Sequence, residues 1–427
     1  MRFWQLLSPS LGLVAVLLAA SADSAAAAPT INSPDTANDV GRHSALVLDA
    51  TGSPVVAYWY VTASDLRILH CNDPACAPGG DSITTPDSSG LVGETPSLVL
   101  DAAGNPVVSY YDRTQADLNI LHCNDPNCAG GDESITSSFA PGSDGEFSSI
   151  ALDSGGNPIV AATYGFAGTL RIMNCNDPNC AGGDETFNSF ACGEPSLELD
   201  GVGYPVVACG NKLLHCNDAS CAGGDDVLAT NGLDAGGVSS MALDGAGNPV
   251  IAQSDSGCCL LGSVKVVHCN DSGCAGGDDV PSTLDSMRNG YVGDAPEVAV
   301  DGSGNPIVSY HSSTLDALVV AHCNDTGCVG GDEGVSQQEV SGGNGFSGSL
   351  VLDSSGNPVV SFFDSGTDDL KLLRCDSVGC VSGVGGVASL AAVERSSRGL
   401  PVAMMVTLSS LALIATTAAV VLRRRRA

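Results

Sequence analysis

PSLVLDAAGNPVVSYYDRTQADLNILHCNDPNCAGGDESIT, residues 96–136, contains four short apolar runs separated by polar turns and no helical periodicity. Residues 97–100 and 106–111 read as two strands rich in Val, Leu and Tyr, joined by the turn DAAGN. Residues 118–122 read as a third strand and 133–136 as a fourth. Glycine at the fourth place of the turn suits a backbone that needs positive φ, and the proline two residues later opens a strand where a missing N–H is tolerated. The aspartate that starts the turn reads as an acceptor for turn amides. It recurs at Asp49, Asp101, Asp153, Asp200, Asp244, Asp301 and Asp353, mostly at spacings close to 52 residues.

Seven units of four strands with a period near fifty predict an all-β fold, a seven-bladed β-propeller over residues 29–382. The segment PTINSPDTANDVGRHSALVLD at 29–49 resembles DSITTPDSSGLVGETPSLVLD at 81–101, so the chain opens on a fourth strand that precedes its own blade. That strand is expected to complete the last blade and so remove the open sheet edges. The rival for the same place is GGVASLAAV at 385–393.

Each unit ends in a cysteine pair, and the density of Cys, His and acid in HCNDPNCAGGDE (122–133) raises the question of a metal. Two observations oppose one. His122 and Cys123 are neighbours on a strand, where successive side chains face opposite sides. Asn174 and Arg374 replace the histidine in two units while both cysteines remain. The pairs Cys71 and Cys76, Cys123 and Cys128, Cys175 and Cys180, Cys216 and Cys221, Cys269 and Cys274, Cys323 and Cys328, and Cys375 and Cys380 are therefore expected to be disulfides. A six-residue loop closed this way gains about 2 kcal/mol by chain entropy. Cys192, Cys209, Cys258 and Cys259 fall outside the pattern in the two irregular units. Three pairings are open to them, of which Cys192 with Cys209 is locally reasonable. No cofactor is expected. Calcium on hard oxygens such as those of Asp125, Asn127 and Asp132 is an addition the sequence allows, although the spacing matches no EF-hand loop.

The ends carry addresses. Residues 1–28 have an early Arg2, an apolar stretch and then small residues, as a secretory signal peptide does. Residues 400–422 are uncharged and long enough as a helix to cross a bilayer, and the arginines of the tail at 423–427 place that end in the cytoplasm. Residues 383–399 are then a stalk. The propeller is expected on the cell surface or extracytoplasmic face, held by a single C-terminal transmembrane helix. LPVAM at 400–404 lacks the Thr and Gly of a sortase motif, so a plain anchor is expected, with enzymatic sorting as the alternative. With 48 acidic against 16 basic residues, nucleic acid is an unsuitable partner.

The phrase LDxxGNPVVSYYD is similar to repeats of secreted bacterial β-propeller proteins. More loosely the units resemble kelch-like and Asp-box (BNR) repeats, of which this chain matches the aspartate and a nearby glycine but not the tryptophan. The resemblance is one of architecture. A sialidase would need three arginines on the substrate carboxylate with a tyrosine nucleophile and a glutamate. Arg67, Arg113, Arg171 and Arg288 share no motif. No GxSxG, HExxH, P-loop or dinucleotide fingerprint is present, which weighs against an enzyme and leaves no catalytic residue to name. Five histidines hold the repeat position before cysteine and read as structural; His43 and His311 are unassigned. The function expected is a surface-displayed binding or adhesion scaffold for a glycan or protein. A sialidase-like glycoside hydrolase and a structural envelope protein are the alternatives.

Overall fold

Why seven Asp-Gly turns and seven cysteine loops recur together is answered by the architecture. In a computed structural model of the chain, residues 28–381 are described apart from short segments at 138–143, 166–167, 184, 225, 235–236, 238, 255–261, 276, 278, 287–291, 313–314, 316, 332 and 339–344. Seven four-stranded antiparallel sheets are present, each formed by consecutive strands except the last. In blade 2 the strands are Val92–Leu100, Pro106–Asp112, Asp117–His122 and Ser134–Ser137, from innermost to outermost. Blade 7 takes Gly345–Leu352, Pro358–Asp364 and Asp369–Arg374 from the C-terminal side and Thr30–Asp35 from the N-terminal side, with Ile31 opposite Leu373. The first strand thus closes the ring, as its likeness to the other fourth strands implied.

The core lies between blades. Tyr58, Val56 and Leu69 of blade 1 pack on Leu370 and Leu372 of blade 7, and Tyr110 and Leu121 of blade 2 pack on Leu66 and Ile68 of blade 1. Aromatic hydroxyls in these seams find carboxylates. Tyr58 donates to Asp35 at 2.7 Å, Tyr110 to Asp87 at 2.7 Å and Tyr310 to Asp285 at 2.8 Å, each linking a second strand to the outermost strand of the preceding blade. No helix among the described residues is long and apolar enough to cross a membrane. The signal peptide, the stalk, the 400–422 helix, the basic tail, and Cys258, Cys259 and Arg288 lie outside the described residues.

On one face of the ring the repeat aspartates do what their turns require. Asp101 Oδ1 accepts the amides of Ala103 and Asn105, both at 2.8 Å, and Gly104 sits at φ +85°. The histidine before each first cysteine is a strut. His122 Nε2 meets Asp101 Oδ2 at 3.2 Å, while its Nδ1 lies 3.0 Å from the Pro178 carbonyl in the cysteine loop of blade 3. The two replacements do the same work by other means. Arg374 reaches Asp353 at 2.7 Å and the Pro74 carbonyl of blade 1 at 3.0 Å, and Asn174 donates to the Ala219 carbonyl at 2.8 Å. In both, the side chain bonds across the seam, as His70, His122 and His268 do.

Burial alone would raise the Asp49 carboxyl. Hydrogen bonds from Thr51, His70 and the amides of Ser53 and Thr51 outweigh it and hold the group down at about 2; Asp101, Asp200, Asp244 and Asp301 are lowered by equivalent bonds. A carboxyl depressed in the fold contributes stability that is fully present above its unfolded value near 4 and is lost as pH falls through the folded value. The expected result is a melting temperature that drops steeply between about pH 4 and 2. In Asp49→Asn the drop is shallower, as thermal denaturation across that range would show.

Candidate functional site

The innermost strands begin earlier than their apolar patterns suggest. Val92–Leu100 starts five residues before the Ser97 expected from sequence, and its first half pairs irregularly with the second strand, with register shifts between Val92 and Glu94 and between Glu94 and Ser97. Val40–Leu48 and Asp144–Leu152 carry the same two shifts. Gly93 and Pro96 conceal this segment from a pattern search, because both are poor strand residues. A bulge re-aims side chains. Here it places His43, Thr95 and Phe147 in the left-handed region at φ +50°, +47° and +53°; Glu194, at the same repeat position of blade 4, precedes the unshifted strand Ser196–Leu199 and has φ +55°. Left-handed backbone is uncommon outside glycine and an outlier for a β-branched residue such as Thr95. Such strain concentrates at binding sites.

All four residues line one cavity of about 410 Å³ at the mouth of the central channel, on the face opposite the cysteine loops. Below them runs a ring of hydroxyls. Ser97 Oγ accepts the Ile150 amide at 3.2 Å, Ser149 the Leu197 amide at 3.0 Å, Ser196 the Met241 amide at 3.0 Å and Ser240 the Val298 amide at 3.3 Å. Each serine latches its blade to the next. Glu297 stands at this ring position in blade 6, where its Oε2 accepts the Ser240 hydroxyl at 3.1 Å. Two residues further along the innermost strand of blade 4, Glu198 stands where other blades have Val or Ala.

Charge and polarity divide the mouth in two. Blades 1 to 3 contribute His43, Pro96 and Phe147, and Phe147 is 44 % exposed to solvent. The Trp59 ring lies stacked beside His43 with centroids 6.2 Å apart. Burial, aided by the Arg42 charge, lowers the His43 pKa and keeps its ring neutral. Blades 4 to 6 contribute Glu194, Ser239 and Glu297. Burial pushes the Glu297 carboxyl up to about 7, with the Ser240 hydrogen bond acting the other way. Glu198 is not among the residues that line this cavity; its side chain is exposed, and the protein crowded around its carboxyl raises it to about 7. No lysine or arginine lines the cavity among the described residues.

A carboxyl raised by the fold costs stability above its unfolded value, and the cost grows until the pH passes the folded value. Glu297→Gln keeps an acceptor for Ser240 and removes the titration. The melting temperature of the variant relative to the parent is expected to rise from pH 4.5 to 7 and then level off. Buried neutral His43 has the opposite sign, losing stability as pH falls below about 6.5, so the difference between the two proteins, measured by parallel calorimetry, is the quantity to read. A constant difference would place Glu297 in solvent.

The sequence-predicted residues sort cleanly. All seven expected cysteine pairs are bonded, Cα to Cα 4.9–5.0 Å apart, and Cys192 is bonded to Cys209. The acid that ends the loop caps it: Glu133 accepts the Asn124 amide at 2.7 Å and Asp81 the Asn72 amide at 3.0 Å. Asp125 accepts the amides of Asn127 at 2.8 Å and Ala129 at 3.1 Å. These groups lie on the cysteine face, away from the channel mouth. The arginines do not converge: Arg67 pairs with Asp35 at 2.7 Å, Arg113 with Glu94 at 3.0 Å, and Arg171 stacks on Tyr164. His311 is buried beside Glu297 in the wall of blade 6. Sequence reasoning left His43 unassigned and missed Thr95, Phe147, Glu194, Ser239 and Glu297. The signal available was a glycine eight residues before the repeat aspartate, at Gly41, Gly93, Gly145, Gly236, Gly293 and Gly345.

No family model and no curated protein matches the chain. Among solved structures, a lectin from Burkholderia pseudomallei is similar over 78% of this chain and 95% of its own, at 13% identity and a TM-score of 0.51. A polysaccharide lyase is similar over 77% and 88% at 9% identity and a TM-score of 0.48. NanB sialidase from Streptococcus pneumoniae is similar over 79% and 68% at 11% identity and a TM-score of 0.38. At these identities the likeness is one of fold: the chain is an all-β, seven-bladed β-propeller built from disulfide-closed repeats.

Proposed function

We propose that the protein is a glycan-binding propeller, displayed outside the cell, whose ligand enters the channel mouth. The observation that carries this is the left-handed backbone at His43, Thr95, Phe147 and Glu194, four residues at one repeat position that line one cavity. An exposed aromatic ring beside hydroxyls and carboxylates suits a sugar, which has apolar C–H faces and polar edges. Eight disulfides suit an oxidising, extracytoplasmic compartment.

A second reading, glycoside hydrolysis, draws on Glu297, a cavity-wall carboxyl pushed up to about 7, a range that suits a general acid. A sialidase-like form of it has no arginine on the cavity wall among the described residues to hold the substrate carboxylate. A glycan array on the purified protein, with a fluorogenic glycoside panel, tests both. Selective retention without turnover supports binding, turnover supports hydrolysis, and silence in both leaves a structural role. Phe147→Ala is expected to weaken retention by roughly 1 kcal/mol, about fivefold, with the melting temperature unchanged; undiminished binding would move the site elsewhere.

A further inference from the structure

Four residues before the first cysteine of its loop, on the third strand, five of the seven blades carry a cation: Arg67, Arg171, Lys212, Lys265 and Lys371. Blades 2 and 6 carry Asn119 and Val319 there. Two of the cations neutralise buried acids. Arg67 pairs at 2.7 Å with Asp35, which also accepts the Tyr58 hydroxyl, and so joins blade 1 to blade 7. In blade 7 the hairpin acids Asp364 and Asp369 stand opposite each other, and Lys371 Nζ lies 3.7 Å and 3.5 Å from their Oδ2 atoms. Blade 6 has Ser312 and Ala317 at the hairpin places and needs no cation there. The seam of blades 1 and 2 keeps the acids of both arrangements and has neither cation. Asp87 accepts the Tyr110 hydroxyl as Asp35 does that of Tyr58, and Asp112 stands opposite Asp117 as Asp364 does Asp369. Arg113, the next residue along, pairs with Glu94 at 3.0 Å instead.

Asp87, Asp112 and Asp117 are only 6%, 1% and 9% exposed, a setting in which an unpaired carboxylate is costly. Strand alternation puts Asp112 on the face of Tyr110 and Asp117 on the face of Leu121, the face that packs on Leu66 and Ile68 of blade 1. Both oxygens of Asp87 are bonded, to the Tyr110 hydroxyl and the Ser89 amide, and Asp112 Oδ1 accepts the amides of Thr114 and Gln115. Asp117 Oδ1 is buried with no hydrogen-bond partner among the described residues. Burial and the Asp112 charge beside it raise the Asp117 pKa. Asn119 accepts the Ser137 hydroxyl at 2.8 Å, so it brings oxygen to this seam and no charge.

We infer that a calcium ion binds in the seam of blades 1 and 2, held by Asp112 and Asp117 with Asp87 beside them, and does there what the Lys371 ammonium does in blade 7. Every group facing the place offers oxygen, which is what calcium takes; magnesium, which keeps several of its own waters, suits a buried seam less well. The ion would join blade 1 to blade 2 as Arg67 and Asp35 join blade 1 to blade 7. This site is separate from the cavity at the channel mouth, and it stands or falls independently of the glycan-binding reading.

Isothermal titration of the full-length protein with calcium chloride at pH 7, with melting temperatures read in parallel, tests the site. The parent is expected to bind one calcium ion at least tenfold more tightly than its exposed acids do, and to melt at a higher temperature with it. Asn119→Lys supplies the cation in the manner of blade 7. It is expected to lose that tight equivalent and, without calcium, to melt at or above the temperature of the calcium-free parent. Asp117→Asn, which is isosteric, is expected to weaken the same equivalent at least tenfold and gives the same reading should the lysine disturb the seam. Asp125→Asn, on the cysteine face, is expected to leave it intact. No tight equivalent in the parent, or an equal one in Asn119→Lys and Asp117→Asn, overturns the inference. Loss of the equivalent in Asp125→Asn also overturns it, by moving the ion to a cysteine loop. A parent indifferent to calcium while Asp117→Asn melts higher would overturn it as well, showing that a proton neutralises these acids.

Discussion

Reducing all the disulfides is expected to unfold the protein at neutral pH and room temperature. Each cysteine loop closes six residues and gains about 2 kcal/mol by chain entropy, and a few such gains together reach the whole net stability of an ordinary domain, about 5–15 kcal/mol. The blades have little else to draw on, since aromatic residues make up only 4% of the chain. The bridges also hold backbone that cysteine would not choose: Cys76, Cys128, Cys180, Cys221, Cys274, Cys328 and Cys380 all sit at φ between +46° and +52°. The sulfurs are buried, with Cys76 and Cys323 fully so, and reduction should therefore be slow without mild denaturant and fast once the blades open. Circular dichroism with thiol counting would follow both. Among single deletions, removing Cys192–Cys209, which spans 17 positions, is expected to cost about 3 kcal/mol against about 2 for Cys123–Cys128, whose cysteines are 5 apart. A reduced protein that keeps its cooperative melt within a few degrees would show that the seams alone hold the ring.

What was legible in the sequence follows from what repeats. The Asp-Gly turn and the cysteine loop are local devices, each satisfied by residues within a few positions, so the same letters return in every unit and announce the blade. Ring closure was legible for the same reason, because Thr30–Asp35 resembles the other fourth strands. The channel mouth was not. His43, Thr95, Phe147 and Glu194 occupy one repeat position with four different side chains, and a search for shared motifs discards such a position. At His43, Thr95 and Phe147 the left-handed backbone comes from a bulge, which breaks the alternation that marks a strand, and Glu194 lies ahead of its strand altogether. Ser97, Ser149, Ser196 and Ser240 recur as latches, yet a serine near a strand start is too common to stand out. The departure of Glu297 from that ring acquires meaning only when the seven innermost strands are set around one axis. Repetition therefore reveals the scaffold, and the variation that repetition hides is where recognition resides.

Gly93→Ala and Gly104→Ala make a matched pair that tests this seam against its turn. Both glycines have positive φ, +89° and +85°, so an added methyl costs each about 1 kcal/mol in backbone conformation. They differ in their surroundings. A Cβ on Gly104 would meet nothing within 4 Å, whereas one on Gly93 would lie 2.7 Å from Leu66 Cα and 2.8 Å from Leu66 N. Those are main-chain atoms of the third strand of blade 1, and no rotamer change moves them aside. The strand Val92–Leu100 would have to lift from its neighbour, opening the packing of Val92 and Tyr110 on Leu66 and Ile68. Gly104→Ala should therefore lose about 1 kcal/mol, and Gly93→Ala more than 3 kcal/mol, within the range that overpacking and forbidden backbone reach together. Denaturant melts of the two variants read the difference directly. Because the lifted segment carries Thr95 at the channel rim, Gly93→Ala should also weaken glycan retention at temperatures where it is still folded, while Gly104→Ala, on the opposite face, should leave retention intact. Equal losses from the two substitutions would mean that the blades are spaced widely enough to admit a methyl, and that the close approach of innermost to third strand does not set the geometry of the mouth.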